Sequence, residues 1–532
     1  MRSLRTLATA LIALAAVAAL AATANAHPER QSYFPDASRG AVPEYRHSGR
    51  ALIVCKRDSA RRIRAIFKGR SRAGKRRMRL RQLERCRFRH IQAAIDAARS
   101  NDRIRVMPGV YREQPSRGVP LDQAECRGMF ETPDDGDALV ATYEHQVKCP
   151  NARNLIVVTG DSLADPDREC DHRCNLLVES LGRKPRHVRI VGDRIKRDVV
   201  RADRADGFFL RNLWVEQGAF NDVDVVETNG FRLSRLVTPY GQNYGVLSFA
   251  SDHGLYEHIE AFGNGDSGIY PGSGPEGHCK RYGIEIRHVN SHDNVLGYSG
   301  TAGNGTWTHH SSFHHNNAGI SDDSFASGHP GMPQDCSKWT DDRVYSNNRN
   351  FFRNDRDAYC RSTPFEKRPK RIVCPQFQVP VGTGFVLYGV NENLIRDNRI
   401  YDNWRSGVRL FWVPAVIRGE SDPAKQFDTS NGNRFVDNRL GVGRKGSRRP
   451  NGIDFFWDEQ GIANCWSGNR GRAGGRVTSD PPTLPGCPRG SLFQQGNLEK
   501  TAAEAPCGAW DPAANPDPPG CTWFTTPPRP AR

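Results

Sequence analysis

The chain lacks the apolar content of a polytopic membrane protein: 37% of its 532 residues are hydrophobic and the mean hydropathy is −0.65. A charged fraction of 25% completes a soluble, foldable composition and excludes a disordered chain. Acid is in short supply, with 59 Asp and Glu against 76 Lys and Arg, for a formal net charge of +17. That shortage is local. Residues 61–89 hold 14 Lys or Arg and the single acid Glu84, so most of the excess sits in one segment. No recognised nucleic-acid-binding motif accompanies it, and nucleic acid is not an expected partner. The segments Arg61–Lys68 and Lys75–Leu83 instead pattern as amphipathic basic helices suited to an anionic wall polymer or to solvent. What is abundant is 51 Gly and 34 Pro, the mark of many turns.

Met1-Arg2-Ser3-Leu4-Arg5, the Ala/Leu-rich run from Leu7 to Ala22, and Ala24-Asn25-Ala26 predict a cleavable export signal over residues 1–26. A membrane anchor needs about 20 strongly apolar residues and this run is mostly alanine, so no transmembrane span is expected in the mature chain. A secreted or periplasmic location lets the 14 cysteines pair. Nearby candidates are Cys126 with Cys149, Cys170 with Cys174, and Cys360 with Cys374. Cys465, Cys487, Cys507 and Cys521 would staple a Pro/Gly-rich tail. Cys170-Asp171-His172-Arg173-Cys174 also offers half a zinc site, but no second ligand pair occurs at zinc spacing.

Internal repeats decide the fold. Taking Asn393-Leu-Ile-Arg-Asp-Asn398-Arg-Ile-Tyr-Asp-Asn403 as template, ungapped alignment places Asn212, Arg235, Ile259, Val289, Ser311 and Asn438 opposite Asn398. Three of the spacings are close to 23 residues; the interval from Ser311 to Asn398 is 87. Three positions earlier the column is mostly apolar, with Arg232 a misfit, and a second short strand follows a glycine at Gly245, Gly268, Gly297, Gly319 and Gly407. Apolar runs of four or five residues are too short for helical repeats. Coils with several short strands each fit a parallel β-solenoid, in which a coil buries its inner face only against its neighbours. Asparagine at the bends suits backbone bonding or a ladder. A solenoid end leaves unpaired edges and requires a cap. His90-Ile-Gln-Ala-Ala-Ile-Asp-Ala-Ala98 supplies one, with Ile91, Ala94, Ile95 and Ala98 on one helical face.

The entry segment from Ile91 through Arg103-Ile-Arg-Val-Met-Pro-Gly-Val-Tyr-Arg-Glu113, together with the Asn393–Asn403 coil, resembles the right-handed parallel β-helix repeat proteins of the pectate-lyase-like superfamily. The expected organisation is a signal at 1–26, an N-terminal segment with the basic insertion at 27–89, a β-helix at 90–470, and a loop-rich Pro/Gly/Cys tail at 471–532. A monomer is expected. The resemblance implies polysaccharide lyases, epimerases and hydrolases, often acting on acidic polymers, as well as non-catalytic surface proteins; a fold alone does not choose among them. The Asp-Pro-His-Asp of alginate epimerases is absent, and Asn290-Ser-His-Asp-Asn294 keeps only its His-Asp pair. Of the polygalacturonase signatures, Ser321-Asp322-Asp323-Ser324 and Gly328-His329-Pro330-Gly331 are partial matches.

Nine of the 16 histidines fall within residues 253–315. His258, His288 and His310 share a column just before the bend, where adjacent coils would stack them at about 4.8 Å. A second column holds Phe262, His292, His314 and Tyr401, and the next holds Gly263, Asp293, His315 and Asp402. Such a cluster suits three roles: a near-neutral base for removing the C5 proton of a uronate, a metal site, or a structural polar ladder. The candidate catalytic residues are therefore His258, His288, His310, His292 and Asp293, with Arg287 or a bound Ca²⁺ neutralising the sugar carboxylate. Asp322 and Asp323 are the hydrolase variant, as paired carboxylates. Arg287, His309, Arg396, Tyr270 and Arg409 are candidate contacts to an acidic polysaccharide.

Overall fold

The computed structural model describes residues 29–531 except 133–138, 166, 326–328, 357, 414–419, 421–429, 472–474, 493–495, 498, 501–502, 505–506 and 508–520. The export signal expected at 1–26 lies outside them. Among the described residues no helix is long and apolar enough to cross a membrane.

The chain is a right-handed parallel β-helix whose three sheets hold 12, 10 and 11 strands among the described residues. One coil shows the unit. Asn229–Ser234 lies in the first sheet, Val237–Pro239 in the second and Tyr244–Phe249 in the third, and Asp252–Glu257 then returns beside Asn229–Ser234. Two residues separate the first sheet from the second, and the leading one is left-handed in coil after coil: Asn212, Arg235, His258, His288, His310, Asp341, Asp397 and Asp437 all have φ between 53° and 58°. A second left-handed bend, carrying Gly263, Asp293, His315, Ser346 and Asp402, follows the second sheet.

These bends correct the alignment of the first two coils by one residue. Asn212 and Arg235 occupy the histidine bend, and the position of Asn398 belongs to Leu213 and Leu236. Asparagine suits both the left-handed bend and the interior ladder, which is why Asn212 misleads. The shift also removes the misfit, since Leu233, not Arg232, is the inward residue beside Tyr256. The 87-residue interval hides a complete coil: Lys338–Thr340, Arg343–Tyr345 and Thr383–Tyr388, interrupted before its third strand by an insertion.

Inside, apolar columns such as Val246, Ile269, Tyr298, Ile320, Phe385 and Val408 form one continuous core. The corners are filled by buried amides. Along the row Asn264, Asn294, Asn316, Asn347, Asn403 and Asn451, each of the first five donates from Nδ2 to the Oδ1 of the next, at 2.9 to 3.4 Å. The same oxygens accept the backbone N–H of the preceding asparagine, so both corner donors of the first five are paired.

The helix Ile91–Asp96 closes the N-terminal end, with Ile91, Ala94 and Ile95 in the main core. The basic segment forms helices Ser59–Ile66 and Ala73–Glu84, which pack through Ile63, Phe67, Leu80 and Leu83 and are tied by Cys55–Cys86. Seven disulfides use all 14 cysteines. Cys170 and Cys174 are bonded to each other, which removes the zinc half-site. The outer face of the third sheet is covered: Phe34 packs on the cluster of Leu247, Phe249 and Tyr270, and Trp523 and Phe524 pack with Val386, Tyr388 and Phe411.

Candidate active site

The outer face of the second sheet carries a column of stacked rings in the order Phe262, His292, His314, Tyr345 and Tyr401. Neighbouring centroids are 4.7 to 5.3 Å apart and the planes lie within 18° of parallel. The spacing of parallel strands imposes this stack. Stacked rings present their edges outward, so the column is no platform for a sugar face.

Two histidines in this stack have opposite electrostatics. Burial opposes charge on His292, yet Asp293 at 2.7 Å from Nδ1 and Glu260 at 3.6 Å from Nε2 prevail and push its pKa up to about 9. His314 lies against it. Burial, then the charge of His292 and the adjacent His315, push the His314 pKa down to about 3. His315 is also lowered, by burial first; Asp293 opposes this while Arg349 and His292 add to it.

Hydrogen-bond partners assign the tautomers. His314 Nε2 lies 2.9 Å from Asn290 Oδ1, an acceptor, so Nε2 carries the proton and Nδ1 a lone pair. His315 Nδ1 is 2.7 Å from that lone pair and donates to it. His315 is exposed and its Nε2 is left with a free lone pair. Arg349 pairs through Nε with Asp293 Oδ1 at 2.9 Å, and its side chain is 52% exposed. A neutral imidazole, an imidazolium and a guanidinium thus meet at one bend.

A similar arrangement occupies the other bend. His309 Nε2 is 3.1 Å from Glu285 Oε1 and its Nδ1 is 2.8 Å from His310 Nδ1, which aims an exposed His310 outward. His258 and His288, both exposed, stack at 4.9 Å and 10°. Arg287 is clamped by Glu257 at 3.0 Å and Glu285 at 2.9 Å, so its charge is already matched. His288 and Asp293 stand at the opposite edges of the second sheet, with Asn290–His292 between them. The structure therefore gathers His292 and Asp293 with His315 and Arg349, and sets His258, His288, His309, His310 and Arg287 apart. His315 was visible in the histidine columns; Arg349 lies in the overlooked coil, where Val344-Tyr-Ser-Asn347 parallels Ile400-Tyr-Asp-Asn403.

Several expected contacts are not at the surface. Tyr270 has no exposed area, and Arg409 is 6% exposed and paired with Glu504. Arg396 is exposed and bound to Asp397 at 3.1 Å. Asp322 and Asp323 do not form a pair, because successive strand residues point to opposite faces. Asp322 is in register with Leu387 and Leu410 of the core, and burial holds its carboxyl well above the usual range. Asp323 faces out beneath the cover, accepting from Thr301 Oγ1 at 3.2 Å and the Phe325 N–H at 3.2 Å. For Ca²⁺, which takes six to eight oxygens, the donor set does not fit: among the described residues the one convergent group is Cys279, Cys336 and Glu392, and its cysteines form a disulfide.

No family model matches the chain, nor does any curated protein sequence. Among solved structures it is similar to the A-module of the Azotobacter vinelandii mannuronan C-5 epimerase AlgE4, at 12% identity over 76% of this chain and 94% of that one, with a TM-score of 0.37. It is similar to pectate lyase Pel9A at 12% identity over 83% and 82%, with a TM-score of 0.31. A GH87 α-1,3-glucanase catalytic domain matches at 8% identity over 86% and 70%, with a TM-score of 0.33. The coil geometry itself defines the fold class, a right-handed parallel β-helix. Likenesses this distant concern fold and carry no activity.

Proposed function

We propose that this is an exported protein, secreted or periplasmic, that binds an acidic polysaccharide and modifies it at the bend carrying His292, Asp293, His315 and Arg349. The observation that carries the reading is the exposed lone pair on His315 Nε2, fixed by the chain Asn290–His314–His315 and set beside two cations. Groups in one site whose pKa values are driven apart mark an acid and a base.

In this reading the uronate carboxylate faces Arg349, whose terminal nitrogens meet no carboxylate among the described residues. His315 Nε2 takes the C5 proton, and the electron pair moves into the carboxylate, whose developing charge Arg349 stabilises. The His292 imidazolium is the acid. It returns a proton to C5 from the opposite side in an epimerisation, or protonates the O4 leaving group as the C4–O4 bond breaks in a β-elimination. Seven disulfides agree with an oxidising compartment. A non-catalytic surface protein is the second reading, favoured by the edge-on ring column, which is built for stability rather than for stacking sugars.

The test is incubation of mature protein with pectate, alginate, hyaluronan and glucuronan in D₂O. C5 deuteration is read by NMR and unsaturated uronate by ultraviolet absorbance. Deuteration or absorbance that is lost in His315→Gln and kept in His310→Gln supports the site. Binding without either signal in all four polymers leaves the surface-protein reading.

A further inference from the structure

The column beside the rings becomes purely basic toward the C-terminus. Arg343 pairs in register with Arg399, Arg399 with Arg439, and Arg439 with Arg470, one arginine per coil over four coils. Arg439 and Arg470 are exposed, and Arg343 and Arg399 half-buried. None of the four forms an ion pair or side-chain hydrogen bond among the described residues. Asp341, Asp397 and Asp437 stand two residues ahead, at the bend, yet Asp397 is held by Arg396 and the others reach no arginine of the column.

The contrast with the first sheet is informative. There the same chain pairs its charges across coils, Arg232 with Glu257 at 2.7 Å and Glu257 with Arg287 at 3.0 Å. Stacked like charges on neighbouring strands are destabilising. Protection of an open sheet edge explains a cation on the last strand only, whereas Arg343 and Arg399 lie on strands paired on both sides. The row continues past Ser312 to Asn290, the residue that fixes the His314 tautomer, on the side of the second sheet next to the His288 and His310 bend and across the ring column from His315.

We propose that Arg343, Arg399, Arg439 and Arg470 form a track for a linear uronate polymer lying along the solenoid axis, beside the ring column. Coils repeat at about 4.8 Å, comparable with one pyranose ring per residue, so each carboxylate meets one guanidinium in a charge-assisted bond. A nucleic-acid strand fits poorly, because its charges repeat at about 3.4 Å in a duplex and single strands need open ring faces. The polymer's identity rests on the proposed function; the unpaired arginine row does not.

The experiment titrates mature protein with labelled oligogalacturonates of two, four, six and eight residues, and separately with linear polyphosphate, at several salt concentrations. The comparison is with the variant Arg343→Gln/Arg399→Gln/Arg439→Gln/Arg470→Gln, whose fold is checked by circular dichroism. Uronate affinity is expected to rise with length up to about four residues and to fall about threefold per lost arginine, in line with exposed charge pairs. The salt dependence should shallow in step. Uronate binding that is unchanged in the quadruple variant, or independent of length, overturns the track and leaves the His315 site standing. Arginine-dependent binding of polyphosphate without any uronate binding overturns the uronate assignment together with the proposed function. Track binding that survives His315→Gln while C5 exchange is lost supports both.

Discussion

His292 and His314 stack at 5.2 Å with planes 7° apart, one pushed up to about 9 and the other down to about 3. The difference comes from position: His292 reaches two carboxylates, while His314 has Asn290, His315 and the charge of His292 itself. Opposite shifts in touching rings have opposite effects on stability. The raised His292 contributes stability that is complete below pH 6.5 and lost as pH rises toward 9. The depressed His314 contributes stability that is present above pH 6.5 and lost as pH falls toward 3. Replacing His292 by Phe, the ring its neighbour Phe262 already supplies, should flatten the decline of Tm between pH 6.5 and 9 relative to wild type. Thermal melts across that range are the check, and parallel profiles for the two proteins would refute the assignment.

The same pair predicts an effect of Asp293→Asn. Loss of the 2.7 Å partner leaves Glu260 alone against burial, so the NMR pKa of His292 should fall from about 9. Because His292 is the proposed acid, activity in the variant should lose its neutral-to-alkaline range while binding of the polymer is retained. An unmoved His292 titration would show that Asp293 is not what holds the proton.

The corner amides give a stability prediction. Asn403 donates to Asn451 at 3.2 Å and to the Val344 carbonyl at 3.1 Å, and accepts from the Asn347 N–H and Nδ2. Asn403→Ala leaves the buried Asn347 N–H without its acceptor and takes a donor from Asn451 Oδ1 and from the Val344 carbonyl, a loss on the order of 2–4 kcal/mol. Urea unfolding should show a lower midpoint with an unchanged slope. A variant as stable as wild type would mean that water replaces the amide.

Fold was far more legible in the sequence than site. A coil is local: its apolar columns, its glycine before Val246 or Ile269 and its corner asparagines recur within one period and can be aligned by eye. What failed was register at Asn212, where one residue type serves two adjacent positions, and the coil of Arg343–Tyr345, hidden by insertions on both sides. The site depends on non-local facts. Whether Asp322 faces the core, whether Arg287 is already spent on two carboxylates, and whether Tyr270 lies under Phe34 are set by strand parity and by distant segments folding over the third sheet. The column of histidines showed which rings stack, but not which ring keeps a lone pair.

Beneath the cover of the third sheet, Asp266 is raised to about 8, by burial first and also by Asp323, with a hydrogen bond from Tyr244 opposing. A carboxyl that stays protonated in the fold costs stability as pH rises from 3.8 to about 8, since the unfolded chain ionises and the folded one does not. Asp266→Asn keeps a neutral side chain of the same shape. It should therefore gain on the order of 2–4 kcal/mol over wild type at pH 8 and little at pH 4. Equal stability differences at the two pH values would contradict a protonated Asp266.

The beginning of the described chain forms a charged latch. Glu29 and Arg30 are 5% and 3% exposed, directly after the predicted cleavage site at Ala26. Arg30 donates to Asp203 at 2.9 and 2.7 Å, and also binds Glu227. Glu29 receives both terminal nitrogens of Arg201 at 3.1 Å, and Arg201 continues to Asp224 at 2.7 Å. Burial opposes ionisation, but the attraction of these arginines outweighs it, holding Glu29 well below the usual carboxylate range and lowering Asp203 as well. Removing one partner of a buried pair leaves an uncompensated charge, so Arg30→Ala should cost about 3 kcal/mol, softened by the Arg201 and Arg204 contacts that remain. The loss should be greatest near neutral pH and shrink in acid as Asp203 protonates. Double-mutant cycles of Arg30→Ala with Asp203→Asn measure it directly: coupling near zero would mean that the segment is merely laid over the sheet, whereas coupling of a kcal/mol or more makes it a structural part of the solenoid wall.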